Sequence, residues 1–111
     1  SVEIGRGAVL PLTLSLNELC TNAVKYGALS VPTGRVEIVS SVDDRSQLFT
    51  LRWTERGGPR VVEPTRRGFG TRLLSALAGQ LHGEFEVRYE PAGFVYQLDS
   101  PMAVLRPLRP N

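Results

Sequence analysis

From Arg35 to Glu55 apolar and polar residues alternate with a period of two, interrupted at Asp43-Asp44-Arg45-Ser46. Val36, Ile38, Ser40 and Val42 fall on one side of the first run, against Arg35, Glu37, Val39 and Ser41. In the second, Phe49, Leu51 and Trp53 share a side, against Thr50, Arg52 and Thr54. Successive side chains of a strand point to opposite faces, so the pattern requires two half-buried strands joined by a turn. A sheet with one apolar face must cover it, and the flanking segments carry helices suited to that task. Upstream, Leu12, Leu16, Leu19 and Ala23 make an apolar stripe that predicts a helix from about Ala8 or Pro11 to Ala28. Its firm part is expected to start at Pro11, since proline is best tolerated in a first turn, with Gly27 near the end as a left-handed cap. Downstream, Leu73, Leu74, Leu77, Ala78 and Leu81 predict a second helix from about Gly70 to His82, with Gly83 just past its end. Two closing strands, about 84–90 and 93–99, are joined by Pro91-Ala92-Gly93 and put Phe85, Val87, Tyr89 and Phe94, Tyr96, Leu98 on apolar faces. The expected fold class is α+β: a sandwich of four or five mostly antiparallel strands with helices packed on one face.

A length of 111 residues gives one core. The domain is expected over 1–101, followed by a tail, 102–111, that contains two prolines with a third, Pro101, just before it and is expected on the surface or disordered. Val2-Glu3-Ile4 reads as the end of an element begun earlier, so an N-terminally truncated piece of a longer protein is expected. Twelve of the 13 basic residues are Arg, which favours bidentate pairing with carboxylates or phosphates. A net charge of +2, with no basic run interleaved with aromatics, argues against nucleic acid as a partner. Cys20 is the single cysteine, which excludes an internal disulfide and fits a reducing, cytoplasmic setting. No apolar run approaches the roughly 20 residues of a membrane span, and direct membrane contact is not expected. One His and one Cys make a protein metal cage improbable.

Several residues are candidates for chemistry. Glu18, Asn22 and Lys25 fall at i, i+4 and i+7, one narrow polar stripe on the first helix that is either a solvated face or the floor of a site. Glu55 continues the buried side of Phe49, Leu51 and Trp53, where a carboxylate needs donors. An Arg partner, Arg56 or Arg60, would be the structural solution; a ligand N–H such as an adenine amino group would be the functional one. Gly57-Gly58-Pro59 reads as a turn when taken alone. GFGTR, Gly68 to Arg72, opens a helix with two glycines and with Arg66 and Arg67 upstream, an arrangement suited to anions or to a simple glycine-capped loop. Thr71 caps that helix or meets a phosphate. Tyr26 is helix-end packing or a platform for a base. Cys20 and His82 are assigned no chemistry, and Glu84, Glu86 and Glu90 form a wet strand face.

Taken in order, NELCTNAVKYGALS, WTERGGP and GFGTRLL resemble the catalytic and ATP-binding domain of sensor histidine kinases. The resemblance is to the GHKL superfamily with its Bergerat fold, and more narrowly to the HWE subfamily, named for a His in the first motif and Trp-x-Glu in the second. It spans about Leu12 to Pro101, and Trp53 and Glu55 match the second motif. Asn17 stands where that family has its His. The resemblance implies a mixed, mostly antiparallel sheet and an enzyme that transfers the γ-phosphoryl group of ATP, with Mg²⁺, to a histidine. It implies catalytic roles for Glu18, Asn22 and Lys25: Asn22 on the metal, Lys25 on a phosphate, Glu18 on a water or the metal's outer shell. Glu55 would accept from the adenine amino group, Gly57 and Gly58 would leave room for the ring, and Tyr26 would pack on it. Gly68 and Gly70 would meet the phosphates, with Arg67 or Thr71 assisting, and 60–67 would form the lid. The acceptor histidine is implied on a separate dimerisation domain absent from these residues, in a homodimeric protein that serves a response regulator. The alternatives are a degenerate kinase-like module that binds a response regulator, a GHKL serine kinase of a regulatory protein, and a plain structural domain.

Overall fold

The computed structural model describes residues 3–61 and 69–108. Helix α1 (Arg6–Lys25) leads through a short 3₁₀ turn, Ala28–Ser30, into strands β1 (Arg35–Asp43) and β2 (Leu48–Arg56). Helix α2 (Phe69–Gln80), strands β3 (Glu84–Glu90) and β4 (Gly93–Pro101) and a one-turn helix α3 (Met102–Leu105) follow. The four strands lie in the order β1-β2-β4-β3, and every pairing is antiparallel. The α+β sandwich is therefore borne out, with no parallel pair among the described residues.

Alternation sets the two faces. Phe49, Leu51 and Trp53 of β2 stand beside Ser100, Leu98 and Tyr96 of β4, and β4 in turn sets Leu98, Tyr96 and Phe94 against Phe85, Val87 and Tyr89 of β3. Side chains opposite each other in an antiparallel pair share a face, so these residues form the floor of the core. Helix α1 covers it with Ala8, Leu12, Leu19 and Ala23, and α2 with Leu74 and Ala78, joined by Leu81 just past its end. Leu16 is only half-buried, and Ser15 takes the central place in the stripe, its hydroxyl donating to the Pro11 carbonyl at 2.8 Å. The opposite sheet face is polar: Thr50 donates to Asp99 at 2.5 Å, and Arg52 to Gln97 at 2.6 and 3.0 Å.

Four local expectations change. Helix α1 starts at Arg6, so Pro11 lies inside it. Proline clashes with the carbonyl four residues back; that residue is Gly7, exposed and without a side chain, while buried Ala8 and a 2.6 Å bond from Gly5 N–H to Leu105 O anchor the first turn. Gly27 is not a left-handed cap, with φ of −104°; its need for glycine comes from a carboxylate, described below. Helix α2 ends at Gln80 rather than His82; His82 takes the left-handed conformation, φ 50°, and Gly83 N–H closes the end by donating to Ala78 O at 2.9 Å. The first turn of the segment expected as a surface tail packs instead, while 106–108 stay exposed: Met102 and Leu105 are buried in the core, and Met102 N–H donates to Gln47 O at 2.9 Å. Apolar residues four and seven places past Leu98 outweigh the prolines around them.

One edge of the sheet is less covered. On β1, Ile38 and Val42 face the helix side opposite Trp53 and Phe49, yet both remain exposed. Between β1 and the first half of α1 lies a groove of about 570 Å³, lined by Ile4, Val9, Leu12, Leu16, Val42 and Phe49 among others.

Candidate functional site

The last two turns of α1 and the end of β2 meet at Glu55. Strand parity carries this carboxylate inward after Trp53, and it is 4% exposed. Neither Arg56 nor Arg60 supplies its partner. Its Oε1 accepts from the backbone N–H of Ala28 at 2.9 Å, and its Oε2 from the indole Nε1–H of Trp53 at 2.9 Å. Arg56 turns away to donate to the Glu55 backbone carbonyl at 3.0 Å. The expectation of an Arg partner fails because two neutral donors are nearer: Trp53 shares Glu55's face two residues back, and a chain leaving a helix presents a free N–H.

That contact organises the surroundings. Tyr26 and Gly27 donate backbone N–H groups to Asn22 O at 2.8 and 3.1 Å, so the turn that carries Asn22 continues directly into the residues against Glu55. A Cβ at Gly27 would collide with Glu55 Oε1, which explains the glycine. Gly57 has φ of 74°, and its carbonyl accepts from Thr33 Oγ1 at 2.7 Å. A Cβ at Gly58 would collide with the backbone of Ala28. The volume left free by Gly58 is thus taken up by the 28–34 segment.

Glu18 and Asn22 are half-buried on α1, and Lys25 is exposed one turn beyond. Among the described residues their side chains make no hydrogen bond or ion pair with the rest of the chain. Half-buried polar groups without protein partners are open to a ligand or to water. No group of three or more His, Cys, Asp and Glu is placed to hold a metal among the described residues. Glu18 and Asn22 therefore suit a hard cation that takes one or two protein oxygens and completes its shell with water and phosphate oxygens, as Mg²⁺ does. Tyr26, at the helix end, is 77% exposed and free to carry a planar group.

The remaining candidates divide. Gly70 and Thr71 lie in the first turn of α2, so Thr71 is inside the helix rather than its cap. Arg67 and Gly68, with most of the expected lid at 60–67, lie outside the described residues. Asn17 is exposed on α1, and Cys20 is exposed too. The apolar groove beside β1 contains none of the predicted site residues. Two participants escaped the sequence reading, the Ala28 N–H and the Trp53 indole. A Trp two residues before a buried acid on the same strand face was the available signal, since a buried indole N–H needs an acceptor. The interior also holds Ser100, whose hydroxyl donates to Leu81 O at 2.8 Å, and Tyr96, whose hydroxyl has no partner among the described residues. Burial pushes this phenol up to about 12, with the nearby Ser15 hydroxyl acting in the opposite direction.

No family model matches the chain. It is 49% identical over 94 residues to a blue-light-activated histidine kinase of Brucella anthropi, and 43% identical over 94 residues to those of Brucella ovis and Brucella canis. Each match covers 82% of this chain but 19% of the relative, so the chain spans about a fifth of their length. Among solved structures, a histidine kinase domain from an Erythrobacter litoralis blue-light activated histidine kinase superposes with a TM-score of 0.72. That match is at 22% identity and covers 87% of this chain and 48% of the other. A longer structure of that protein gives a TM-score of 0.69 at 23% identity, over 84% and 30% of the two chains. The kinase resemblance read from the three motifs is borne out: the chain is a homologue of one segment of these histidine kinases and shares the fold of a histidine kinase domain.

Proposed function

We propose that this homologue of histidine kinase domains is the ATP-binding catalytic domain of an HWE-type, GHKL sensor histidine kinase. The observation that carries the reading is the Glu55 carboxylate, buried and bound to the N–H that follows the Asn22-bearing turn. It joins the polar stripe of Glu18, Asn22 and Lys25 to the residues suited to a purine. In this reading Asn22 supplies an oxygen to Mg²⁺, Glu18 orders a water beside it, and Lys25 pairs with a phosphate. Glu55 accepts from the adenine amino group, and Tyr26 lies against the ring. Gly70 and Thr71, in the first turn of α2, have backbone N–H groups of the kind that meet phosphates.

Phosphoryl transfer depends on positioning and on neutralising charge more than on covalent help from the protein. Mg²⁺, when bound, would neutralise phosphate charge. The chain's own part is to hold the base and phosphates in register between two rigid elements, α1 and β2. The acceptor is a histidine on a separate dimerisation domain of a homodimeric protein, and a response regulator is the downstream partner. No described helix is long and apolar enough to cross a membrane, and a cytoplasmic setting fits ATP use. A second reading, a module that docks a response regulator without turning over ATP, draws on Asn17 at the position of the family's His.

Calorimetric titration with ATP tests the reading. Micromolar or weaker binding that requires Mg²⁺ and disappears in Asn22→Ala is expected. Equal affinity with and without Mg²⁺, or in both proteins, contradicts the metal assignment.

A further inference from the structure

We propose that Trp53 is a positioning residue for base recognition, its indole N–H fixing the Glu55 carboxylate in the orientation that reads an adenine amino group. The inference rests on the nucleotide reading above and deepens it. Trp53 is 1% exposed and Glu55 4% exposed, and the described residues contain no cation paired with that carboxylate. Its charge is balanced instead by two neutral donors, one on each oxygen, at 2.9 Å.

Two features make this more than a structural bond. The terminal torsion of a glutamate is broad, so a carboxylate held at one oxygen still rotates. Held at both, by a backbone N–H from the end of α1 and a side chain of its own strand, it does not. A carboxylate has about four lone-pair sites, so a donor on each oxygen leaves half of them for a ligand N–H, with neither bond displaced. A fixed acceptor discriminates between an amino group, which donates to it, and a purine carbonyl, which would set two acceptors face to face. A carboxylate free to rotate discriminates less. Phenylalanine at 53 preserves an aromatic ring in the core and deletes the donor, so it separates positioning from packing.

The test is titration of ADP and GDP, separately, onto the wild-type chain and Trp53→Phe. Loss of a hydrogen bond to a charged group corresponds to about a tenfold change in affinity or more. ADP is expected to weaken about tenfold with GDP changed little, so that the preference for ADP shrinks at least about fivefold. A preference unchanged in Trp53→Phe, at whatever absolute affinity, overturns the positioning role and leaves the nucleotide site standing. Failure of the wild-type chain to bind either nucleotide overturns the site reading and this inference with it. Should Trp53→Phe not fold, the wild-type chain decides the matter. Trp53 is its single tryptophan, so one indole ¹H–¹⁵N signal reports on Glu55. Saturating ADP must shift that signal, and GDP must shift it less; an indole signal indifferent to bound ADP overturns the proposal.

Discussion

Replacing Glu55 by glutamine keeps the shape of the side chain and changes what it can accept. An amide has one carbonyl oxygen, so it satisfies either the Ala28 N–H or the Trp53 indole N–H, and its own NH₂ group then faces the other donor. Both donors sit 2.9 Å from the native carboxylate, which is itself 4% exposed. Losing a hydrogen bond to a charged group costs about 1.5–3 kcal/mol, and a buried donor left unsatisfied about 1–3 kcal/mol. These figures describe partly the same loss, so the net effect is about 2–4 kcal/mol. In a domain of 111 residues, 1 kcal/mol moves Tm by about 4 °C, giving a fall of roughly 8–16 °C. Thermal melts followed by far-ultraviolet circular dichroism measure it, because that signal does not depend on Trp53. A fall of less than about 2 °C would refute the reasoning, since it would mean that Glu55 does not tie the end of α1 to β2.

Other expectations follow from single residues. Tyr96→Phe removes a buried hydroxyl that has no partner among the described residues and should leave stability at pH 7 unchanged or raised by about 1 kcal/mol, as urea midpoints will show. The folded phenol titrates at about 12, and the unfolded one near 10, so folding favours the protonated form. That contribution is intact below pH 10 and is lost as pH climbs to 12, about 3 kcal/mol in all, and the loss should be absent in Tyr96→Phe. Gly79→Ala, on an exposed part of α2 with open space around it, should stabilise by about 0.5–1 kcal/mol in the same assay. Gly93→Ala should instead prevent native folding, seen as loss of dispersed amide signals, because its Cβ would collide with the Glu55 backbone carbonyl.

Much of this fold is carried by periodicity, and that part was legible. The alternation in Val36–Trp53 and the leucines of α2 each have one way to bury an apolar face, so strands and helices fell where the patterns put them. What escaped was decided by tertiary contacts that have no periodic signature. The start of α1 depends on Leu105, about a hundred residues away, and the packing of Met102 and Leu105 depends on a core that only the folded sheet provides. Gly27 looked like a cap because caps are common; its actual constraint, a carboxylate from β2, is non-local. For the site, strand parity correctly put Glu55 on the buried side, but which donors would reach it depended on how the chain leaves α1. The polar stripe was visible from spacing alone, and its lack of partners among the described residues was not.

The central claim is that the Glu18/Asn22/Lys25 stripe and Glu55 form one nucleotide site. Mapping the amide chemical shifts of the ¹⁵N-labelled chain as Mg·ADP is added tests it most directly. The largest shifts are predicted at 22–28 and 53–58, together with the Trp53 indole, and should disappear from Asn22→Ala at the same ligand concentration. Shifts confined to the groove residues Ile4, Val9, Val42 and Phe49, or no shifts at all, would contradict it.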